Sequence, residues 1–210
     1  MIIRLVFALV LGACSLRFVH CQSMNIGQRD GSTRVQDAAL GFAFTGVGTV
    51  EKGDSSTYRI TLGSSENSPA HTALAQVSAS NRVFVDLPGS YGGKLYFDTP
   101  SASRLIHDRV LVDSVNTGRQ KFRREYWTVY GGMGMWEGVI NCYMQAGGQY
   151  YVVSLVQDRF LGKPGEEVDG VPLSAQDLKV KFLTSLRDTT NVVVKEFTAL
   201  LMSVQIHDER

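Results

Sequence analysis

Cysteine is scarce in this chain, with three residues, Cys14, Cys21 and Cys142, among 210. A small disulfide-stapled domain is therefore excluded, and apolar packing has to hold the fold. Long hydrophobic runs are missing too. No stretch reaches the roughly 20 apolar residues that a membrane-spanning helix requires, which excludes a polytopic helical membrane protein. An excess of one charge is absent, since 21 Lys and Arg face 20 Asp and Glu for a formal net charge of +1. Such a balance is no electrostatic footprint for a nucleic-acid binder. The chain has no Asn-x-Ser/Thr acceptor, because Asn67-Ser68 is followed by Pro69. Its four histidines are scattered without metal-ligand spacing, so neither a metal nor another cofactor is expected.

The N-terminus reads as an export leader. Met1 to Arg4 is a short basic region, and Leu5 to Ala13 is an apolar run. Two processing routes stay open. Leu11-Gly12-Ala13-Cys14 resembles a bacterial lipobox, which would make Cys14 the lipid-bearing first residue of a membrane-anchored protein. Arg4, however, sits closer to Cys14 than such leaders usually place it. Alternatively, Val19-His20-Cys21 ahead of Gln22 suits ordinary cleavage, with residues 1–21 a signal peptide and the product secreted or periplasmic. Against this, Arg17 interrupts the apolar run. Without Arg4 and Arg17 the mature part carries 19 basic and 20 acidic residues, net −1. Cleavage near Cys21 leaves Cys142 alone, whereas lipidation at Cys14 leaves Cys21 and Cys142 to form a disulfide.

Residues 22–40 are polar and alternate poorly, and read as an N-terminal arm or tether. Residues 41–210 read as a single domain. Gly41–Val50 and Ser56–Leu62 look like an opening hairpin around the turn at Lys52-Gly53-Asp54. In the second of these, Tyr58, Ile60 and Leu62 alternate with polar neighbours, as in a half-buried strand. Periodicity does not arbitrate between helix and strand over Thr72–Ser80. Strands are predicted at Arg82–Leu87, Lys94–Phe97 and Arg104–Val115; in the last, Val110 and Val112 share one face and Leu111 and Asp113 the other.

The aromatic centre of the chain is residues 120–157. It holds both tryptophans, Trp127 and Trp136, with Tyr126, Tyr130, Tyr143, Tyr150 and Tyr151. Such composition, broken by Gly pairs, predicts consecutive antiparallel strands at Phe122–Tyr130, Trp136–Gln145 and Gln149–Gln157. Ala146-Gly147-Gly148 is the tight turn between the last two. Ser174, three residues before Asp177, is a helix N-cap. Leu178, Phe182 and Leu186 then form one apolar stripe; Val193, Phe197, Leu200, Leu201 and Val204 form a second. A short final strand near Ser203–Ile206 is also compatible with the pattern. The fold class is α+β: an antiparallel β-sheet of about six to eight strands with C-terminal amphipathic helices packed on one face.

No catalytic constellation stands out. Arg119, Lys121, Arg123 and Arg124 are interleaved with Phe122, Tyr126 and Trp127. On a strand, Lys121, Arg123 and Glu125 share a face with Trp127, which suits stacking and anion binding. The bland reading is a solvated strand start whose charges meet Glu125 and cross-strand carboxylates. The Gly131–Gly138 link lacks the Lys-Ser/Thr of a phosphate-binding loop. It reads as a mobile connection or bulge exposing Met133, Met135 and Trp136, a tip able to meet a partner or ligand, with plain loop packing as the bland alternative. Cys142 lies mid-strand, where a buried structural role competes with that of a nucleophile needing a histidine nearby.

Strands ending in Tyr150 to Leu155, a Gly/Pro loop, and a helix carrying Phe197 and Leu200-Leu201-Met202-Ser203-Val204 are similar to the Mog1/PsbP-like fold. The resemblance spans residues 120–206. It implies an antiparallel sheet flanked by helices, and a non-catalytic binding or assembly factor in exported or lipid-anchored form. The expected function is accordingly that of an exported, non-enzymatic cell-envelope or secreted protein. Its binding residues would be Arg123, Trp127, Met133, Met135 and Trp136, and its target a protein partner or small ligand rather than nucleic acid. The alternatives are a hydrolase or thiol enzyme using Cys142 with a histidine, and a purely structural lipoprotein.

Overall fold

The computed structural model describes residues 27–29, 31–63, 73–87, 93–97, 107–132, 135–162, 167–168, 171–172, 174–188 and 190–207. Among the described residues, the elements of the N-terminal half are all strands: β1 (Gly27–Arg29), β2 (Ser32–Asp37), β3 (Phe42–Val47), β4 (Thr49–Lys52), β5 (Thr57–Leu62), β6 (Ala73–Ser80), β7 (Phe84–Leu87) and β8 (Gly93–Tyr96). Long strands follow as β9 (His107–Asn116), β10 (Lys121–Gly132), β11 (Met135–Ala146) and β12 (Gln149–Gly162). After the short pair β13 (Glu167–Val168) and β14 (Val171–Pro172) come helices α1 (Ala175–Ser185) and α2 (Val192–Ser203), then β15 (Gln205–Ile206). The fold is α+β, as the sequence predicts.

An antiparallel seven-stranded sheet in the order β4-β5-β6-β12-β11-β10-β9 is the platform. A four-stranded sheet, β1-β2-β3-β15, packs with both helices on its first face. The core between these layers contains Val35, Phe42 and Phe44 from the small sheet and Tyr58, Ile60 and Leu62 from β5. The large sheet adds Phe122, Tyr126, Ile140, Cys142, Tyr151, Val153 and Leu155, and the helices add Leu178, Phe182, Val193, Phe197, Leu200 and Leu201. Phe42 meets Tyr58 and Tyr151 edge-on, with centroids 5.9 and 6.4 Å away. Each such large side chain contributes roughly 1.5–3 kcal/mol on burial.

The helices begin where their caps dictate. Ser174 Oγ accepts from Asp177 N at 3.2 Å, and Asp177 Oδ2 accepts from Ser174 N at 2.8 Å, a reciprocal pair that satisfies two otherwise orphaned donors. Asn191 caps α2 through Val194 N at 3.3 Å. At the other end of α2, Ser203 Oγ accepts from Thr45 N at 2.8 Å and donates toward Thr45 O at 3.1 Å and Leu200 O at 2.7 Å. This hydroxyl stands in for a strand partner of β3 just before β15 takes over that pairing.

Several elements differ from the sequence reading. β2 lies in the stretch expected to be a polar arm, yet it pairs along its whole length with β3 and buries Val35 completely. Only Val35 and Asp37 of its six residues turn inward, so the alternation is faint in a polar sequence. The opening hairpin is β4–β5; β3 belongs to the smaller sheet. Residues 73–80 are strand, and Gln76 and Ser78 are as buried as the alanines opposite them. Burial on both faces is what removed the periodic signal there.

The Gly131–Gly138 stretch keeps the bulge of the sequence reading and loses most of the mobile connection. β10 continues to Gly132 and β11 starts at Met135, so most of the expected mobile link is ladder, with Gly132 opposite Met135 after a register shift. Gly138 has a packing role: a Cβ there would overlap the ring of Phe182, which is fully buried. Cys14 and Met133 lie outside the described residues.

Candidate functional site

Strand parity sends Arg123, Glu125 and Trp127 to the second face of the large sheet, opposite the helices. The sequence reading that these residues share a face with Lys121 follows from the same parity. Glu125 is 4% exposed and is the hub of the group. Its Oε1 accepts from Arg123 Nε at 2.8 Å, Tyr143 OH at 3.1 Å and Arg109 Nη1 at 3.4 Å. Its Oε2 accepts from Trp127 Nε1 at 3.2 Å. A buried carboxylate is tolerable because cations and hydrogen bonds answer it from several directions.

The two arginines differ from their acceptor in one decisive respect: their side chains are 51% and 49% exposed. The carboxylate holds Arg123 by its Nε and Arg109 by its Nη1, which fixes the orientation of two long, half-exposed side chains that would otherwise be mobile. The hydrogen bond to Glu125 raises the already high pKa of Arg123. Burial, then the charge and hydrogen bond of Glu125, push the Tyr143 phenol up to about 12, against the opposing pull of Arg123 and Arg109. Tyr143 also packs edge-on against Tyr150 across the β11–β12 hairpin, with centroids 6.2 Å apart.

Trp127 is not an open stacking platform. Its ring is 8% exposed, lies 4.9 Å from Phe97 and has the Arg109 guanidinium 5.7 Å from its centroid. With Val85, Val129, Val139 and Val156 it makes a second, smaller core beneath the β7–β8 hairpin. A row of polar residues continues from Glu125 across the sheet in register: Asn141, Ser154 and Gln76. Ser154 Oγ donates to Asn141 Oδ1 at 2.7 Å. Arg124, on the opposite face from Arg123, is held away from this group by a two-pronged pair with Asp113 at 2.7 Å.

The structure thus brings Arg123 and Trp127 together through Glu125. Met135 and Trp136 occupy the first two positions of β11, and their side chains are outside the described set. Sequence reasoning missed Arg109 and Tyr143. Strand parity along β11 places Tyr143 on the Glu125 face. Arg109 was hidden by a β-bulge: Tyr126 pairs with Leu111 but Trp127 pairs with Arg109, leaving Val110 as an extra residue. Counting by twos through 107–116 therefore assigns the wrong faces beyond Leu111.

Cys142 is a free thiol with no exposed surface. Burial pushes its pKa far up, opposed only by Arg124, which disfavours the thiolate that nucleophilic chemistry uses. Among the described residues no three His, Cys, Asp or Glu gather as metal ligands. No helix among them is long and apolar enough to cross a membrane, a statement that does not bear on β-barrels.

No family model matches the chain, and no curated protein does. Among solved structures, it is similar to the solution structure of the cyanobacterial PsbP protein, CyanoP, from Synechocystis sp. PCC 6803. That likeness covers 89% of this chain and 99% of the other at 9% identity, with a TM-score of 0.31. The likeness is to the fold type that the sequence resembles, and it names no site.

Proposed function

We propose that this is an exported, non-enzymatic binding or assembly protein of the cell envelope or extracellular space. Its docking surface is the part of the second sheet face around Arg109, Arg123, Tyr143 and Tyr150. The observation that carries the reading is the pair of half-exposed arginines locked by one buried carboxylate. Ordering two guanidinium groups in advance lowers the entropic cost of binding an anionic group on a partner. Export is supported by the basic and apolar leader at the N-terminus, and the lipid-anchored form at Cys14 belongs to the same proposal. The thiol-enzyme alternative is disfavoured by the burial of Cys142.

A photo-crosslinker at exposed Gln145, on the same face, should capture a partner in the native envelope fraction. Capture should disappear in an Arg123→Glu background and be absent with the crosslinker at exposed Val180 on α1. Equal labelling from Val180, or capture indifferent to Arg123→Glu, refutes the surface. The intact mass of the native protein tests export: a lipidated start at Cys14 or a start near Gln22 supports it, and an uncleaved chain refutes it.

A further inference from the structure

β9 closes the seven-stranded sheet on its β10 side, and among the described residues its outer ladder meets no further strand. Edge strands of this length are usually blunted, because a row of unpaired N–H and C=O groups invites another chain. Here the bulge at Val110 disturbs only one end. From Leu111 to Asn116 the register with β10 runs without interruption. Two consecutive large apolar residues, Leu111 at 44% and Val112 at 39% exposure, stand on this open edge, one toward each face.

Charge is concentrated beside it. The β9–β10 hairpin carries five basic residues (Arg109, Arg119, Lys121, Arg123 and Arg124) against Asp108, Asp113 and Glu125. That is a net +2 on a chain whose formal total is +1. The two faces are unlike. On the second face Arg109 and Arg123 share the single carboxylate of Glu125, whereas on the first face Arg124 is matched by Asp113 and flanked by Leu111.

We propose that β9 receives an extended acidic segment of a partner protein as an added antiparallel or parallel strand. Backbone hydrogen bonds along Leu111–Asn116 supply affinity, and alternate side chains supply selectivity. Residues of one parity carry carboxylates toward Arg109 and Arg123; those of the other parity are apolar and cover Leu111. This rests on the proposed function and specifies its partner by chemistry and its mode of attachment.

The probe is a capped peptide of about eight residues alternating Val and Glu, long enough to cover the regular part of the edge. Binding is followed by amide hydrogen exchange and chemical shifts of the whole protein. The expected result is slowed exchange at alternate residues of Leu111–Asn116, with affinity falling several-fold between roughly 0.05 and 0.3 M salt. Val112→Glu should weaken binding about tenfold or more and, because it stands directly opposite Glu125, lower the urea midpoint modestly. N-methylation along one edge of the peptide should abolish binding, and a Val–Lys peptide should not bind.

If the Val–Glu peptide binds in an Arg123-dependent way but tolerates N-methylation and Val112→Glu, strand addition is wrong and the arginine surface survives. Binding indifferent to both Arg123→Glu and salt sinks the charge argument on which both readings stand. No binding by the Val–Glu peptide overturns the inference. A concentration-dependent dimer abolished by Val112→Glu also overturns it, because the occupant is then a second copy.

Discussion

Removal of the Glu125 carboxylate is the most direct test of how the second face is organised. Glu125→Ala deletes the acceptor for four donors at once. Their losses are unequal. Arg109 and Arg123 are about half exposed and can turn to water, so each contributes little to stability. Trp127 Nε1 belongs to a buried ring, and Tyr143 OH is partly enclosed. Hydrogen bonds from such groups to a charged acceptor are worth roughly 1.5–3 kcal/mol each, and an unsatisfied buried donor carries its own desolvation cost.

The expected destabilisation is therefore about 3–5 kcal/mol, carried mainly by the neutral donors. Arg123→Ala should cost far less than Glu125→Ala. Glu125→Gln, which keeps shape and one acceptor, should fall between, near 1–2 kcal/mol. Urea unfolding of the three variants, with a double-mutant cycle between Glu125→Gln and Tyr143→Phe, measures each contribution. A loss under about 1 kcal/mol for Glu125→Ala, or a larger loss for Arg123→Ala than for Glu125→Ala, refutes the hub assignment.

Gly138→Ala should cost about 1–3 kcal/mol, because the new methyl overlaps the Phe182 ring; adding Phe182→Leu should return part of the loss in urea unfolding. Ser203→Ala strips the partner from Thr45 N and should destabilise by about 1–2 kcal/mol, read as faster exchange of that amide. Burial and Tyr58, Leu40 and Lys52 act oppositely on Asp37, and the hydrogen bonds win, holding its carboxyl below the usual range. Its contribution should be present above about pH 4 and lost as pH falls below that. Burial raises Tyr126 and Tyr143 to about 12, so their contribution is complete below pH 10 and should vanish as pH rises from 10 toward 12. Urea midpoints across both ranges check the signs, and a flat alkaline limb contradicts the second. Cys142 should resist thiol reagents in the native state and react at the global unfolding rate.

Much of the architecture was legible because it is written in local chemistry. The Gly147-Gly148 turn has both residues at positive φ, which glycine adopts without a Cβ penalty, and it joins strands whose aromatic and β-branched residues favour no other state. The helices announce themselves by Ser174 and two apolar stripes whose period matches the helical turn, while the Asn191 cap of α2 emerges only in the structure. Leu186 is the exception within its stripe, since it caps α1 and is only partly buried. The fold class, the long central strands and the shared face of Arg123, Glu125 and Trp127 all follow from spacings of two to four residues.

What spacing does not carry is which surfaces meet. β2 is a core strand because β3 pairs with it and Val35 lands between Phe-rich layers, a long-range outcome that its polar sequence does not encode locally. Trp127 is buried because Phe97, some thirty residues earlier, crosses its face. Arg109 joins Glu125 only because a bulge at Val110 reverses the strand's parity, and one extra residue is invisible to any periodic count. The sequence alone determined where the two helices and the long central strands form, since those are short-range preferences. Only the tertiary structure decided which carboxylate holds the arginines and which strand edge stays open, because both depend on non-local pairing and the burial that comes with it.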